Sequence, residues 1–192
     1  MKKTKEMLDL FAETGLLKRV KRSGWWVIGI KDPETVAEHC YRCAVIGYVM
    51  AKLEKANVHE TTMMCLFNDL HEARINDHHK VTIRYINHKE AEDKAFKEQV
   101  QSLPKVLKDE MWGWRTEYTG QKTKESIIAR DADILECLLQ AKEYYEQGVP
   151  QAKLFFQKAP KFLKTKTAKK FWKEIKTWKS SDWWQKVCSF ER

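Results

Sequence analysis

Three short segments combine carboxylate or imidazole side chains with apolar, helix-like surroundings. They are Glu38-His39, the run Asn68-Asp69-Leu70-His71-Glu72 with Asp77 beyond it, and Asp131-Ala132-Asp133. Helices that are apolar on most faces seldom carry carboxylates unless something offsets the cost of removing their charge from water. A divalent metal ion supplies that opposite charge, so the three segments predict a metal site.

The spacing within the second segment limits which side chains can share one cavity. Successive residues of an α-helix are about 100° apart, so Asn68, Asp69 and Glu72 fall within one sector of a helix. His71 points away from Asp69, and these two residues cannot easily bind one ion. Each residue taken alone also fits a structural role, since His39 could be a satisfied histidine and Asp69 a helix cap or the partner of an arginine.

The elements that carry these segments are predicted to be helices. Only 7 Gly and 4 Pro occur among 192 residues, whereas sheet proteins need turn residues every few positions. Apolar periodicity predicts helices over residues 4–19, 33–55 and 62–73 in the first half of the chain. In the second half it predicts a helix that begins at Pro104 and ends near Trp112-Gly113-Trp114, then helices over 122–147, 151–158 and 166–178. A last turn runs through Trp183 and Trp184.

The segments between the helices, and the chain as a whole, complete this picture. Residues 21–30 lack a helical period and predict an extended loop with two large aromatics, and residues 76–80 predict a polar loop. No repeat or linker divides the chain. We therefore predict one all-α domain over 1–192, with a basic, Trp-rich helical extension from about residue 161.

Charge and cysteine content suggest where the protein works. The formal net charge is +9, and residues 161–192 alone carry ten Lys and Arg against three Asp and Glu. Such a tail can bind phosphates, but a solvated helix face is the commoner explanation.

The chain has five cysteines, including the Cys40–Cys43 pair in a CxxC spacing, and it lacks an apolar run long enough to cross a membrane. These features predict buried free thiols and a cytoplasmic location.

Longer stretches around these segments resemble the HD-domain phosphohydrolases. Residues 67–73 resemble the family's signature segment with its His-Asp pair, and residues 33–39 resemble its "PESVAEH" run. Residues 72–77 resemble "EA…GD", residues 131–136 resemble "DADKLE", and a "QAxEY" tail follows at 140–144. The match covers about residues 16–146 and is closest to the metal-dependent 5′-deoxynucleotidases, which cleave deoxyribonucleoside 5′-monophosphates to nucleoside and phosphate.

The resemblance implies a fold, a cofactor and a ligand set. It implies a single HD-domain helical bundle, a homodimer, and a divalent ion such as Mn or Co. The positions that match the family's ligands are His39, Asn68, Asp69 and Asp133. It also implies that Trp25 packs on the substrate's sugar and excludes a 2′-hydroxyl, although a core position that anchors the loop is an equal alternative for this residue.

The chemistry of the remaining polar residues suggests further roles. Glu72 lies one helical turn after Asn68 and is our first candidate for proton transfer to the water or the leaving oxygen, with Asp77 as the second. A helix-end salt bridge is the structural alternative for both. Arg22 and Arg42 suit a phosphate because a guanidinium can bind it through two parallel hydrogen bonds.

Asn68 departs from the family pattern, because the family has a His at this position, as the first residue of the His-Asp pair. An amide oxygen is a weaker and harder ligand than an imidazole nitrogen, so we expect lower metal affinity. Asn68 is either a natural variation that the enzyme tolerates or an introduced change that silences it, which would leave a nucleotide- or metal-binding protein. A nucleic-acid-binding module that uses the basic tail is the alternative from another class of function. Under the main hypothesis, neither nucleic acid nor a membrane is expected as a partner.

Overall fold

The described residues, 2–188 of a computed structural model, form helices joined by short connections. No strand occurs in this part of the chain, where a single isolated bridge pairs Lys21 with Thr35. The all-α fold predicted from the sequence is therefore confirmed. The α-helices are α1 (Lys2–Leu16), α2 (Val36–Glu54), α3 (Val58–Phe67), α4 (Glu72–Ile75), α5 (His88–Val100), α6 (Lys105–Gly120), α7 (Lys124–Glu146), α8 (Lys153–Lys158), α9 (Lys166–Ile175) and α10 (Asp182–Val187).

Helices α2, α3 and α7 form the centre of the molecule and pack closely on one another. Their facing side chains are almost fully buried, among them Met50, Met64, Ile128, Leu135 and Leu138. Burying a side chain of this size contributes about 1.5–3 kcal/mol. The core is therefore built by the helices that carry the predicted ligands, which fixes the backbone positions of those ligands.

The sequence determines where the two central helices begin. Thr35 and Glu38 form a capping box at the start of α2, in which the Thr35 hydroxyl accepts from the Glu38 N–H and the Glu38 carboxylate accepts from the Thr35 N–H. Thr123 and Ser126 cap α7 in the same way. The cap of α2 places His39 in the second turn of the helix, where its side chain faces the core.

Three sequence predictions about local structure were wrong. Residues 21–30 contain a 3₁₀ helix, Ser23–Ile28, and are not fully extended. The predicted helix over 62–73 is in fact two helices, α3 and α4, separated by a turn at residues 68–71. The third wrong prediction concerns residues 112–114, which lie inside α6 and not at its end. Trp114 is buried there and stacks on Phe67, with 5.6 Å between the ring centroids.

The basic C-terminal part packs on the bundle as helices. Ala168 and Ile175 of α9 are buried, and the Asp131 carboxylate of α7 accepts hydrogen bonds from the N–H groups of Lys164 and Thr165. Residues 189–192 of the predicted extension lie outside the described residues, and the single-domain organisation over 1–192 stays a prediction.

Two further sequence expectations concern the thiols and the membrane. All five cysteines are free, but only Cys40, Cys43 and Cys65 are buried, whereas Cys137 is half-buried and Cys188 is exposed, so the prediction of buried thiols was wrong for Cys188. The CxxC spacing in α2 places two thiols in the core. None of the described helices combines the length and the apolarity needed to cross a bilayer.

Candidate active site

His39 lies at the centre of a cluster of carboxylates. Its side chain is 1% exposed, and its Nε2 lies 3.2 Å from Oδ1 of Asp133 and 3.4 Å from Oδ2 of Asp69. These three residues come from α2, from the turn after α3, and from α7. The structure therefore brings together three of the four predicted metal ligands, with one carboxylate oxygen of each aspartate beside the same imidazole nitrogen.

The other ring nitrogen of His39 is held by Glu136. This carboxylate is fully buried and forms a short hydrogen bond with Nδ1. It also accepts from Arg42, at 2.9 Å from Nε and 2.8 Å from Nη2. Arg42 in turn donates to both oxygens of Glu143 and to Oε1 of Gln140. A proton on Nδ1 leaves the lone pair of Nε2 free for a metal ion, which is the usual arrangement of ligating histidines.

Donor atoms surround His39 on both sides, so two groups of residues must be compared as metal sites. Glu34, His39 and Glu136 place ligand atoms within 4.8 Å of one another. On that side, however, Nδ1 is already bonded to Glu136, and Oε1 of Glu34 accepts from Nε1 of Trp25 at 2.9 Å. On the Nε2 side, Asp69 and Asp133 also accept hydrogen bonds, but through the oxygens that do not face His39. Oδ2 of Asp69 and Oδ1 of Asp133, the oxygens nearest Nε2, suit a divalent cation. The donors on the Nε2 side fit the metal better.

Asn68 lies beside these ligands, but it presents its amide nitrogen to them. Nδ2 donates to Oδ1 of Asp69 at 2.7 Å. An amide nitrogen cannot bind a metal through this donor, and only the amide oxygen could do so. Asn68, the fourth predicted ligand, therefore lies next to Asp69 and contacts it as a hydrogen-bond donor.

The charges of the cluster shift the pKa values of its members. Burial alone would lower the pKa of His39, and Arg22 lowers it too, but Glu136, Asp133 and Asp69 together raise it well above its usual value. Burial raises the pKa of Glu34 to about 7, with the charge of Glu136 acting in the same direction. The cluster is thus strongly negative around one histidine, which is the environment that a divalent cation stabilises.

Glu72 and Asp77, the two residues predicted for proton transfer, lie close to the ligands. Glu72 begins α4 and is buried, and its Oε2 has no hydrogen-bond partner within residues 2–188. Burial, then the charges of Asp69 and Asp77, raise the pKa of Glu72 well above its usual value. Asp77 accepts from the Ser23 N–H at 2.5 Å, which ties the loop after α4 to the 3₁₀ helix before α2.

Arg22 reaches the cluster, whereas Arg42 and Trp25 do not reach its Nε2 side. Nη1 of Arg22 lies 3.5 Å from Asp69 and 3.8 Å from Asp77. Arg42 lies on the Nδ1 side, where carboxylates occupy its guanidinium. Trp25 is 2% exposed and packs on Tyr144 and Phe155, with ring centroids 5.1 Å and 4.4 Å away. These are the contacts of a core residue that anchors its loop.

The helical wheel assumed a continuous helix through residues 68–72, which the turn at 68–71 interrupts. The turn nevertheless keeps Asp69 and Glu72 together, because the Glu72 N–H donates to the Asp69 carbonyl at 3.0 Å. His71 points the other way, as predicted, and its Nε2 lies 3.9 Å from Glu92 of α5.

Sequence reasoning missed three residues of the site. Arg130 and Tyr118 both donate to Oδ2 of Asp133, at 2.8 Å and 3.1 Å, and the Arg130 side chain is 45% exposed. Glu136 is the third. Arg130 and Glu136 lie three residues before and after Asp133 on α7 and so share its helical face. That spacing was the available signal for both, whereas Tyr118 comes from α6 and no local pattern connects it to Asp133.

A cavity of about 610 Å³ opens on the Nδ1 side of His39. It is bordered by Glu34 and Arg42 and by exposed residues of α2 and the loop before it. Arg22, Glu72 and Asp77 do not line it. The cavity therefore adjoins the carboxylate–arginine network behind His39 and not the ligands themselves.

Comparison with known proteins gives the class of this protein. A family profile described as HD domain matches residues 14–176. The 5′-deoxynucleotidase HDDC2 of Dictyostelium discoideum is 32% identical over 150 residues, which cover 73% of this chain and 78% of that protein. The 5′-deoxynucleotidase HDDC2 of Homo sapiens is 31% identical over 141 residues, which cover 73% and 69%.

A solved structure agrees with these sequence matches. A conserved hypothetical protein from Pyrococcus furiosus superimposes with a TM-score of 0.76 at 29% identity, over 89% of this chain and 99% of that one. The chain therefore belongs to the HD domain family, a class of metal-dependent phosphohydrolases. The resemblance predicted from the sequence is confirmed.

Proposed function

We propose that this chain hydrolyses deoxyribonucleoside 5′-monophosphates to nucleoside and phosphate with the help of a divalent metal ion. The observation that carries the proposal is the position of Asp69 and Asp133, from two different parts of the chain, beside Nε2 of His39. The substrate class is supported by relatives named 5′-deoxynucleotidase at 31–32% identity.

In this proposal His39, Asp69 and Asp133 hold the ion, and Asn68 completes the set through its amide oxygen after a rotation of its side chain. A bound divalent ion such as Mn or Co lowers the pKa of a water molecule and polarises a phosphate oxygen. Glu136 positions His39 by accepting from Nδ1, and Arg42 holds Glu136 in place.

The other side chains act on the substrate and on protons. Glu72, with an unpartnered oxygen beside Asp69, transfers a proton to the leaving 5′-oxygen. Asp77 positions Ser23 and Arg22, and Arg22 binds a phosphate oxygen. The direct substrate contacts predicted for Arg42 and Trp25 stay predictions, and their present contacts support positioning roles through Glu136 and Glu34.

A second candidate function is a nucleotide- or metal-binding protein without turnover. The contact of the Asn68 amide nitrogen with Asp69 favours it, because a donor occupies the place where a ligand is needed. A homodimer and a cytoplasmic location are further predictions of the sequence, and nucleic-acid binding by the basic tail remains the alternative from another class.

Phosphate release from a panel of deoxynucleoside monophosphates, with Mn or Co, tests the proposal. We expect slow phosphate release by this chain and faster release by Asn68→His. The matched control, Asn68→Ala, should release phosphate no faster than the original chain. Phosphate release by Asn68→His with none by the original chain would support the second candidate, a binding protein without turnover. If Asn68→His were inert on every monophosphate while still binding metal by elemental analysis, the deoxynucleotidase assignment would be wrong.

A further inference from the structure

A second cleft lies between α7, α8 and α9, and none of its residues belongs to the candidate active site. Its volume is about 450 Å³. It is lined by three lysines and three aromatic side chains: Lys142, Tyr145, Lys153, Phe156, Trp172 and Lys176. Ammonium groups beside aromatic rings suit a ligand that is both anionic and planar.

The lysines of this cleft carry charge that carboxylates balance only in part. Lys142 pairs with Glu146 at 3.1 Å. Lys153 Nζ lies 4.4 Å from the Tyr145 ring centroid, and Lys176 Nζ lies 5.5 Å from the Trp172 ring centroid. A ring face attracts an ammonium group but does not neutralise it. Within residues 2–188, neither Lys153 nor Lys176 has a carboxylate at salt-bridge distance, so two positive charges remain at the cleft.

The aromatic side chains form a continuous wall behind these charges. Phe156 lies between the other two rings, 6.5 Å from Tyr145 and 5.4 Å from Trp172 between centroids. All three rings are only partly buried, so part of the wall faces the cleft. Aromatic side chains stack with any nucleobase because every base presents a π-face.

We propose that this cleft binds a nucleoside polyphosphate, with the base on the aromatic wall and the phosphates between Lys153 and Lys176. Binding moves the two ammonium groups from the ring faces to phosphate oxygens, where they form stronger, charge-assisted contacts. A polyphosphate is preferred to a monophosphate because two uncompensated lysines face it. The site is separate from the proposed hydrolytic centre, and neither one depends on the other.

Isothermal titration calorimetry with ATP tests this site, with EDTA present so that no catalytic metal contributes. We expect saturable binding of ATP, weaker binding of adenosine and of tripolyphosphate, and a loss of at least about tenfold in affinity in Lys153→Glu/Lys176→Glu, since a charge-assisted contact accounts for roughly such a factor. The matched control, Lys94→Glu/Lys97→Glu, makes the same change of charge on exposed positions of α5 and should bind as the original chain does.

Three outcomes would overturn the proposal. They are an absence of ATP binding, tripolyphosphate binding equal to that of ATP, and equal loss in both double variants. Tight binding of an oligothymidylate without ATP binding would assign the cleft to single-stranded nucleic acid instead. If the double variant fails to fold by circular dichroism, Lys153→Gln and Lys176→Gln, which remove each positive charge without introducing a negative one, replace it.

Discussion

Glu136 and His39 form a buried pair, in which we infer that Glu136 positions the imidazole. Glu136 contacts Nδ1 of His39, on the side opposite the two aspartates, and Arg42 holds it there. We therefore expect Glu136→Gln to weaken Mn binding by about 10–100-fold, the range seen when groups that orient a ligand are lost. Metal titration followed by calorimetry measures this effect.

Glu143→Gln is the matched control for this prediction. Glu143 also binds Arg42, through both of its oxygens, but it does not touch His39. Its replacement should leave Mn affinity within a few-fold of the original. Equal losses in the two variants would show that the arginine network, and not the contact with His39, determines metal affinity.

Arg130 is the most exposed arginine that contacts a ligand of the proposed metal site. Because 45% of its side chain is exposed and it binds Oδ2 of Asp133, it can reach a phosphate that approaches the metal. We expect Arg130→Gln to raise KM for a monophosphate about tenfold or more, which corresponds to the loss of one charged hydrogen bond. Steady-state kinetics with Mn would contradict this role if KM were unchanged and only kcat fell.

At the scale of single residues, charged groups in apolar helices pointed to the three segments, and the family resemblance selected His39, Asp69 and Asp133 as the predicted ligands. It could not show on which side of His39 the arginines lie. Arg42 follows His39 by three residues and shares its helical face, yet its guanidinium binds Glu136 and Glu143 on the Nδ1 side. Such choices depend on α7, which lies about a hundred residues further along the chain.

Gly47 of α2 lies directly against Cys65 of α3. A Cβ at this position would lie 2.5 Å from Sγ of Cys65, which is shorter than van der Waals contact allows. Gly47→Ala should therefore lower the free energy of unfolding by about 1–3 kcal/mol, the cost of overpacking, although alanine has the higher helix propensity. Urea denaturation measures the change.

Two further variants separate crowding from helix propensity. Adding Cys65→Ala removes the crowding sulfur and leaves the Cβ at an ordinary 3.5 Å, so this double variant should recover most of the loss relative to Cys65→Ala alone. Gly113→Ala, inside α6 with nothing within 4 Å of the added carbon, should stabilise the protein by roughly 0.5–1 kcal/mol. Similar effects at Gly47 and Gly113 would contradict the crowding argument.

Helix α1 is attached to α4 through an ion pair that depends on pH. Arg74 donates to both oxygens of Glu13, and these hydrogen bonds lower the pKa of Glu13 below 4.5 despite partial burial. A lowered folded-state pKa contributes stability above the unfolded value, and this contribution is lost as the pH falls through the folded value.

Glu13→Gln should therefore lower stability by about 0.5 kcal/mol at neutral pH, as is usual for a half-exposed pair. The difference from the original chain should shrink as the pH falls through the lowered pKa of Glu13 and this carboxylate protonates. Thermal unfolding across this range measures it, with Asp9→Asn, an exposed carboxylate of α1, as the control. A difference that persisted at low pH would mean that the contact does not depend on the charge of Glu13.

The sequence predicted the long helices better than the connections between them. Apolar periodicity placed α2 and α7 to within a few residues, because their buried faces and their caps are encoded locally. The turn at residues 68–71 was missed, since Arg115 of α6 donates to the Asn68 carbonyl and stabilises the end of α3 from a distance. The 3₁₀ helix before α2 was missed for the same kind of reason, because Asp77 receives the Ser23 N–H.

The proposed metal ion would join three parts of the molecule that are distant in sequence. His39, Asp69 and Asp133 lie on α2, after α3 and on α7, and these helices form the core. A ligand that binds only the folded chain stabilises it by mass action, by about 2.7 kcal/mol at a metal concentration 100 times its Kd. For a chain of this length, that stabilisation raises Tm by roughly 5–10 °C.

Asp133→Asn should abolish the rise in Tm on adding Mn, whereas Asp131→Asn should keep it. Both carboxylates lie on α7, but Asp131 accepts only from the backbone of Lys164 and Thr165 and faces away from His39. Its loss should lower Tm with and without metal by a similar amount, because it detaches the segment before α9. A Mn-dependent rise that disappeared in both variants would show that the ion stabilises α7 generally and does not bind at the cluster around His39.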